Sequence, residues 1–186
     1  MSEDKLISSA AAPARRFVAS MRLGTPADAG AIAALHAESW RSAYRGLIPD
    51  EDLGDALDGE RLQFWRTRFA APEPDRRVVF LEMADSLIVG FACVLADADP
   101  DHGPLLDNLH VKPGWRGRGI GASLLNEARL WSAAIAPGEP MHLWVLEGNL
   151  AARRFYRSQG GVEEDRLVEH RGGMAIVSLR CKWGQG

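Results

Sequence analysis

The chain has 186 residues, 46% of them hydrophobic and 25% charged, a balance that fits one globular domain with a sizeable core. Its formal net charge of -3 gives no broad basic field for nucleic acid or anionic membrane. No apolar run reaches the roughly 20 residues a membrane-spanning helix needs, and Cys93 and Cys181, each in an apolar segment, suggest packing rather than a disulfide framework. The expectation is a soluble cytoplasmic protein with a small-molecule partner.

In chain order, residues 1–20 are rich in Ala and Ser, carry Arg15 and Arg16, and lack the continuous apolar stretch of a secretory signal. They read as a flexible tail ahead of a single domain over 21–186, with translation starting at Met1 or at Met21. A strand is expected over 18–23. Thr25-Pro26-Ala27-Asp28 then has the form of a helix start, with a capping hydroxyl, Pro at the first helical position and an acidic residue after it. Ala31, Ile32, Ala34, Leu35 and Trp40 continue at helical spacing, 46–49 break the element, and an acidic helical region follows over 50–69. Segments 78–82 and 87–96 read as a hairpin turning at 83–86, and 105–111 as another strand. Residues 119–135 form a helix in which Ile120, Leu124, Ala128, Trp131 and Ile135 recur at three- and four-residue steps. The remainder is a strand over 141–146, a helix over 149–158, and strands over 162–168 and 174–182 joined at Arg171-Gly172-Gly173. This order describes an α/β domain with a mixed sheet.

Between the strand ending at Val111 and the helix after it stand Gly117, Gly119 and Gly121 at alternate positions, flanked by Arg116 and Arg118. Backbone N–H groups free of Cβ atoms can converge on an anion there, the helix N-terminus adds partial positive charge, and Arg suits bidentate phosphate contact. A diphosphate ligand and a plain tight turn are both consistent with the glycines alone. The dinucleotide fingerprint fits poorly, because 112–116 separate the glycines from the strand, and a P-loop fails for want of Gly-Lys-Ser/Thr.

Val111-x-Pro113-x-x-Arg116-Gly117-x-Gly119-Ile120-Gly121 resembles the acetyl-CoA signature of the GNAT acyltransferase superfamily. The block from Leu143 through Asn149 to Phe155-Tyr156, followed by Gly160-Gly161, is similar to the strand and helix that complete the cofactor groove in that family. With Trp40-x-x-x-Tyr44-x-Gly46-Leu47, the resemblance covers roughly residues 21–183. It implies a mixed, mostly antiparallel central sheet of about six to seven strands flanked by helices, with two strands splayed apart so that CoA lies between them as an added strand. It implies an acyl-CoA-dependent N-acetyltransferase that transfers directly in a ternary complex. By the same resemblance Leu109, His110 and Val111 line the pantetheine arm, and Arg116, Gly117, Arg118, Gly119, Ile120, Gly121 and Ala122 hold the pyrophosphate. Asn149 contacts the pantetheine or caps its helix, Ala152 and Arg154 belong to the cofactor side, and Tyr156 protonates the departing sulfur. Arg153, Arg154 and Arg157 reach the nucleotide phosphate or form a solvated face.

N-acylation benefits from a base, since an amine with pKa near 10.4 is almost wholly protonated at neutral pH. The position that holds a glutamate in some members of the family is here Leu105. Asp107 shares its strand face by period-two alternation, His110 lies on the other face with an imidazole suited to neutral pH, and Glu82 is a third candidate beside a base-free water chain. Trp40 and Tyr44 wall the acceptor pocket or form a core-facing pair. Acidic residues over 50–60 and 97–101 attract a cationic amine or are solvated surface. His36, His102, His110, His142 and His170 show no ligand spacing, so no metal is expected, and Cys93 reads as an inert thiol. A small primary amine is the expected acceptor; a protein N-terminus or lysine, and a non-catalytic acyl-CoA-binding regulatory module, are the rival readings. A homodimer is an assembly open to the chain by resemblance.

Overall fold

The computed structural model describes residues 19–71 and 77–184. Residues 1–18, and with them most of the expected tail, lie outside the described residues. Strand β1 (Ala19–Leu23) begins inside the segment read as tail: Ala19 and Ser20 pair with Ala84 and Met83. Helix α1 (Ala29–Ala43) follows a single 3-10 turn, Pro26–Asp28, closed by the Thr25–Asp28 capping box. The acidic region expected as one helix divides into a 3-10 turn, Asp50–Leu53, and helix α2 (Leu57–Ala70), with Gly54 between them.

The remaining elements are β2 (Arg77–Ala84), β3 (Leu87–Leu95), β4 (Leu105–Val111), α3 (Ile120–Ile135), β5 (Met141–Leu146), α4 (Leu150–Ser158), β6 (Val162–Arg171) and β7 (Met174–Trp183). The β2–β3 turn is tighter than expected, with Asp85 at φ 55°. The seven strands form one sheet in the order β1-β2-β3-β4-β5-β7-β6, antiparallel everywhere except between β4 and β5. The mixed, mostly antiparallel sheet inferred from the sequence is thus the observed one. No helix among the described residues is long and apolar enough to cross a membrane.

Both sheet faces are covered. On one, α1 and α2 bring Ile32, Leu35 and Trp65 against Leu81, Phe91 and Cys93. On the other, Ile120, Leu124 and Ala128, one turn apart along α3, pack with Phe80, Val89, Ala92 and Leu106, and Tyr156 of α4 joins them. Strand β3, covered on both sides, is buried from Ile88 to Val94 and so reads as an unbroken apolar run. Gly90 in its middle is a packing requirement: a Cβ there would come within 2.8 Å of Ile120 Cγ2 and 3.2 Å of the His110 carbonyl. Its absence lets the first turn of α3 settle onto β3 beside β4.

Two features of β4 place the site. Cys93 pairs with Asn108 but Val94 with Leu106, so Asp107 is the extra residue of a β-bulge. The bulge corrects the period-two reading: Asp107 and His110, expected on opposite faces, both lie on the α1/α2 side, where Asp107 meets Arg68 and His110 meets Ser39. Second, β4 and β5 are in register only at Leu105 and His142 and diverge beyond that point.

Candidate active site in the cleft between the splayed strands

Where β4 and β5 part, a cleft of about 460 Å³ opens. The amide of Lys112 donates to Val89 O at 2.9 Å, so alternate residues of β4 turn their backbone groups toward β3, while Leu109 and Val111 direct theirs into the gap. One wall is α4, with Asn149, Ala152 and Tyr156; the other is α1, with Ser39 and Tyr44. Lys112 Nζ holds Glu38 Oε2 at 2.7 Å and fastens α1 to the end of β4.

The glycine loop closes one end of the cleft. Gly117 and Gly119 have φ of 76° and 82°, the left-handed region that glycine enters without strain, and Gly119 in that conformation starts α3. The helix therefore begins at Ile120, one residue later than expected. The amides of its first turn, at Ile120, Gly121 and Ala122, have no intrahelical acceptor and lie along the cleft. A Cβ on Gly121 would stand 3.3 Å from Phe155 Cζ, so a bare α-carbon keeps α3 and α4 close. Arg116 lies at the mouth, its Nη1 donating to Ser42 Oγ at 3.2 Å. Left-handed glycines, unused helix amides and a guanidinium suit the two phosphates of an acyl-CoA, and the divergent strands leave β4 backbone groups for its amide-bearing arm.

Residues 74–160 match the family model for the acetyltransferase (GNAT) domain. Over those residues the chain is similar to the GNAT acetyltransferase domain. Solved structures agree in fold. The PaiA N-acetyltransferase of Thermoplasma acidophilum, in complex with coenzyme A, has a TM-score of 0.68 at 20% identity, over 89% of this chain and 99% of its own. The YncA protein of Salmonella typhimurium, with its cofactor acetyl-CoA, gives 0.65 at 16% identity, over 89% and 93% of the two chains. The ribosomal-protein-alanine N-acetyltransferase of Brucella melitensis gives 0.68 at 24% identity, over 89% and 99%. No curated protein matches the chain.

Of the residues singled out in the sequence, the cleft gathers Tyr156, His110, Leu109, Val111, Tyr44, Asn149 and Ala152 together with the loop from Arg116 to Ala122, Arg118 aside. Asn149 Oδ1 accepts from Ala152 N at 3.2 Å, so it caps α4 while lining the cleft. Others stand apart from the lining. Arg118 stacks on Trp115 at 4.8 Å and donates to Gly114 O at 3.3 Å. Arg154 is exposed on α4, whereas Arg153 is committed to Glu163 at 2.8 Å and to the Glu147 carbonyl. Trp40 sits behind Tyr44, ring centroids 5.4 Å apart. Asp107 is held by Arg68 at 2.7 Å and accepts from the Asn108 amide.

Glu82 lies on the opposite sheet face, where Ser123 of α3 donates to it at 3.3 Å and burial raises its carboxyl pKa. His110 is the one of the three base candidates that lines the cleft. Its Nδ1 is 3.0 Å from Ser39 Oγ, and burial, reinforced by Arg116 and Arg61, lowers its pKa to about 3, so the imidazole is neutral at working pH. Burial also raises the Tyr156 phenol, with Tyr44 adding to the effect, so Tyr156 keeps its proton. The Cys93 thiol is pushed up to about 12 by burial and is no nucleophile.

Ser39 and Trp144 line the cleft without having been picked out in the sequence. Ser39 looks like one more small residue on the buried stripe of α1. Trp144 was detectable: it alternates with Leu143 and Val145, which face the α3 core, and so must face the α1/α2 side. Among the described residues no group of three His, Cys, Asp or Glu side chains is placed to hold a metal.

Proposed function

We propose that the chain transfers an acetyl or other short acyl group from acyl-CoA to a small primary amine, by direct attack within a ternary complex. The observation that carries this reading is the convergence in one cleft of the α3 amide end, the free edge of β4, and two neutral proton-handling groups, His110 and Tyr156. The amine nitrogen bonds to the thioester carbonyl carbon, the carbon–sulfur bond breaks, and its electron pair leaves on sulfur. Tyr156 supplies the proton that sulfur takes, and its phenol is restored from solvent. His110 accepts the proton the nitrogen sheds. Its depressed basicity means that it passes that proton on rather than storing it. This role requires the tautomer in which Nδ1–H donates to Ser39 Oγ, leaving Nε2 as the accepting nitrogen.

A small acceptor is supported by closure of the α1/α2 side. Arg171 at the β6–β7 turn reaches Asp52 at 3.3 Å, and Gly172 packs so near Pro49 that a Cβ would be 3.1 Å from its Cγ. This contact ties the β6–β7 tip to the segment after α1, and we take it to narrow the approach for a peptide. CoA release with acetyl-CoA and matched panels of small amines and peptides tests the proposal. Saturable turnover with small amines is expected; turnover confined to peptides would move the acceptor class to protein, and acetyl-CoA binding without turnover would make the chain a binding module.

A further inference from the structure

The α1/α2 side of the cleft carries several arginines, and most have an acid beside them. Arg68 pairs with Asp107 at 2.7 Å, Arg171 with Asp52 at 3.3 Å, and Arg180 stands 3.3 Å from Asp165 and 3.9 Å from Asp99. Arg61 on α2 differs. Its guanidinium is stacked between aromatic rings, 4.5 Å from the centroid of Trp40 and 5.3 Å from that of Phe64. Its Nε is buried without a hydrogen-bond partner, as are Nε and Nη1 of Arg180, but unlike Arg180 it has no carboxylate within ion-pair distance among the described residues. The Nη edge, which is not buried, is where an acid that the chain does not supply could pair with this charge.

Arg61 is connected to the reacting end of the cleft. Trp40, under its guanidinium, touches Tyr44 at 5.4 Å and His36 at 5.3 Å, and the His36 ring lies 4.6 Å from His110. The Arg61 charge also adds, after burial and Arg116, to the lowering of the His110 pKa. We infer that the acceptor amine carries a carboxylate and that Arg61, stacked on Trp40, is the residue that receives it. A planar, forked guanidinium held on an aromatic face is preorganised for a carboxylate on its Nη edge, which, unlike Nε, is not buried. The acceptor class is then amino acids or similar amino carboxylates rather than polyamines, and the acidic stretch over 50–60 is solvated surface. Arg61 is a specificity residue that holds the acceptor away from the bond being made.

The inference rests on the acyltransferase reading, and its test separates the two. N-acetylglycine, N-acetylalanine and N-acetylphenylalanine, each beside its neutral primary amide, are titrated by calorimetry into CoA-loaded wild type, Arg61→Met and Arg61→Lys; acetyl-CoA is titrated into the same proteins. Expected is an acid bound about tenfold or more tightly than its amide by wild type, a preference lost in Arg61→Met, partly kept in Arg61→Lys, with acetyl-CoA affinity unchanged throughout. Equal binding of acid and amide, binding of neither by CoA-loaded wild type, or a preference undiminished in Arg61→Met would each overturn it. Failure of folded wild type to bind acetyl-CoA would instead remove the acyltransferase reading on which it stands.

Discussion

Tyr156 and His110 line one cleft, and burial affects them in complementary ways: the phenol is kept protonated and the imidazole unprotonated. Tyr156→Phe removes only the hydroxyl and is expected to lower kcat by about 10- to 100-fold while leaving acetyl-CoA affinity near wild type, as read by CoA release beside calorimetry. An unchanged kcat would pass the sulfur's proton to another donor. His110 and His36 also carry a stability signature. Burial lowers both imidazole pKa values below the ordinary 6.5, so the unfolded chain takes up protons that the folded chain refuses. Stability is therefore fully present above about pH 6.5 and falls as pH drops below it, by about 1.4 kcal/mol per pH unit for each imidazole. Urea melts at pH 7.5, 6.5 and 5.5 should show this loss, and His110→Gln should make it shallower. The residue types were legible in the sequence, but their environments were not. Asp107 was aligned with Leu105 by simple alternation, and only the bulge opposite Cys93 reveals that it turns to Arg68 instead.

The junction of β3, β4 and α3 decides whether the glycine-loop end of the cleft exists. Gly90→Ala puts a methyl group into Ile120 and the His110 carbonyl, and neither can swing away freely. It is expected to destabilise the protein by about 1–3 kcal/mol and to weaken acetyl-CoA binding by moving the first turn of α3. Denaturant melts and calorimetry would measure the two effects, and stability without binding loss would separate packing from function. Trp65→Ala empties the largest fully buried position between α1 and α2 and removes the donor to His36 Nδ1; about 3–5 kcal/mol should be lost in the same melts. At this scale the sequence was informative, because local signals set the elements: apolar spacing along α3, the run of β3, the Asn149 cap. The subdivision of 50–69 escaped because acidic residues favour a 3-10 turn and a helix start alike, and Gly54 alone marks the break.

Across the whole molecule, α1 and α2 cover one sheet face and α3 and α4 the other, and the cleft lies where β4 and β5 leave the sheet open between them. The mixed sheet and its glycine loop were readable from motif order. The parting of β4 from β5 was not, since strand divergence leaves no periodicity and entered only through family resemblance. Likewise, the isolation of Arg61 appears only once α2 is laid beside α1. Everything proposed for the chemistry depends on that gap and the α3 amide end holding acyl-CoA. The most direct test is calorimetric titration of acetyl-CoA into wild type and Gly119→Val, which forces a β-branched residue into φ near 82° at the start of α3. The account predicts saturable binding by wild type and its loss in a variant whose melt still shows a folded protein; equal binding by both, or none by folded wild type, would contradict it.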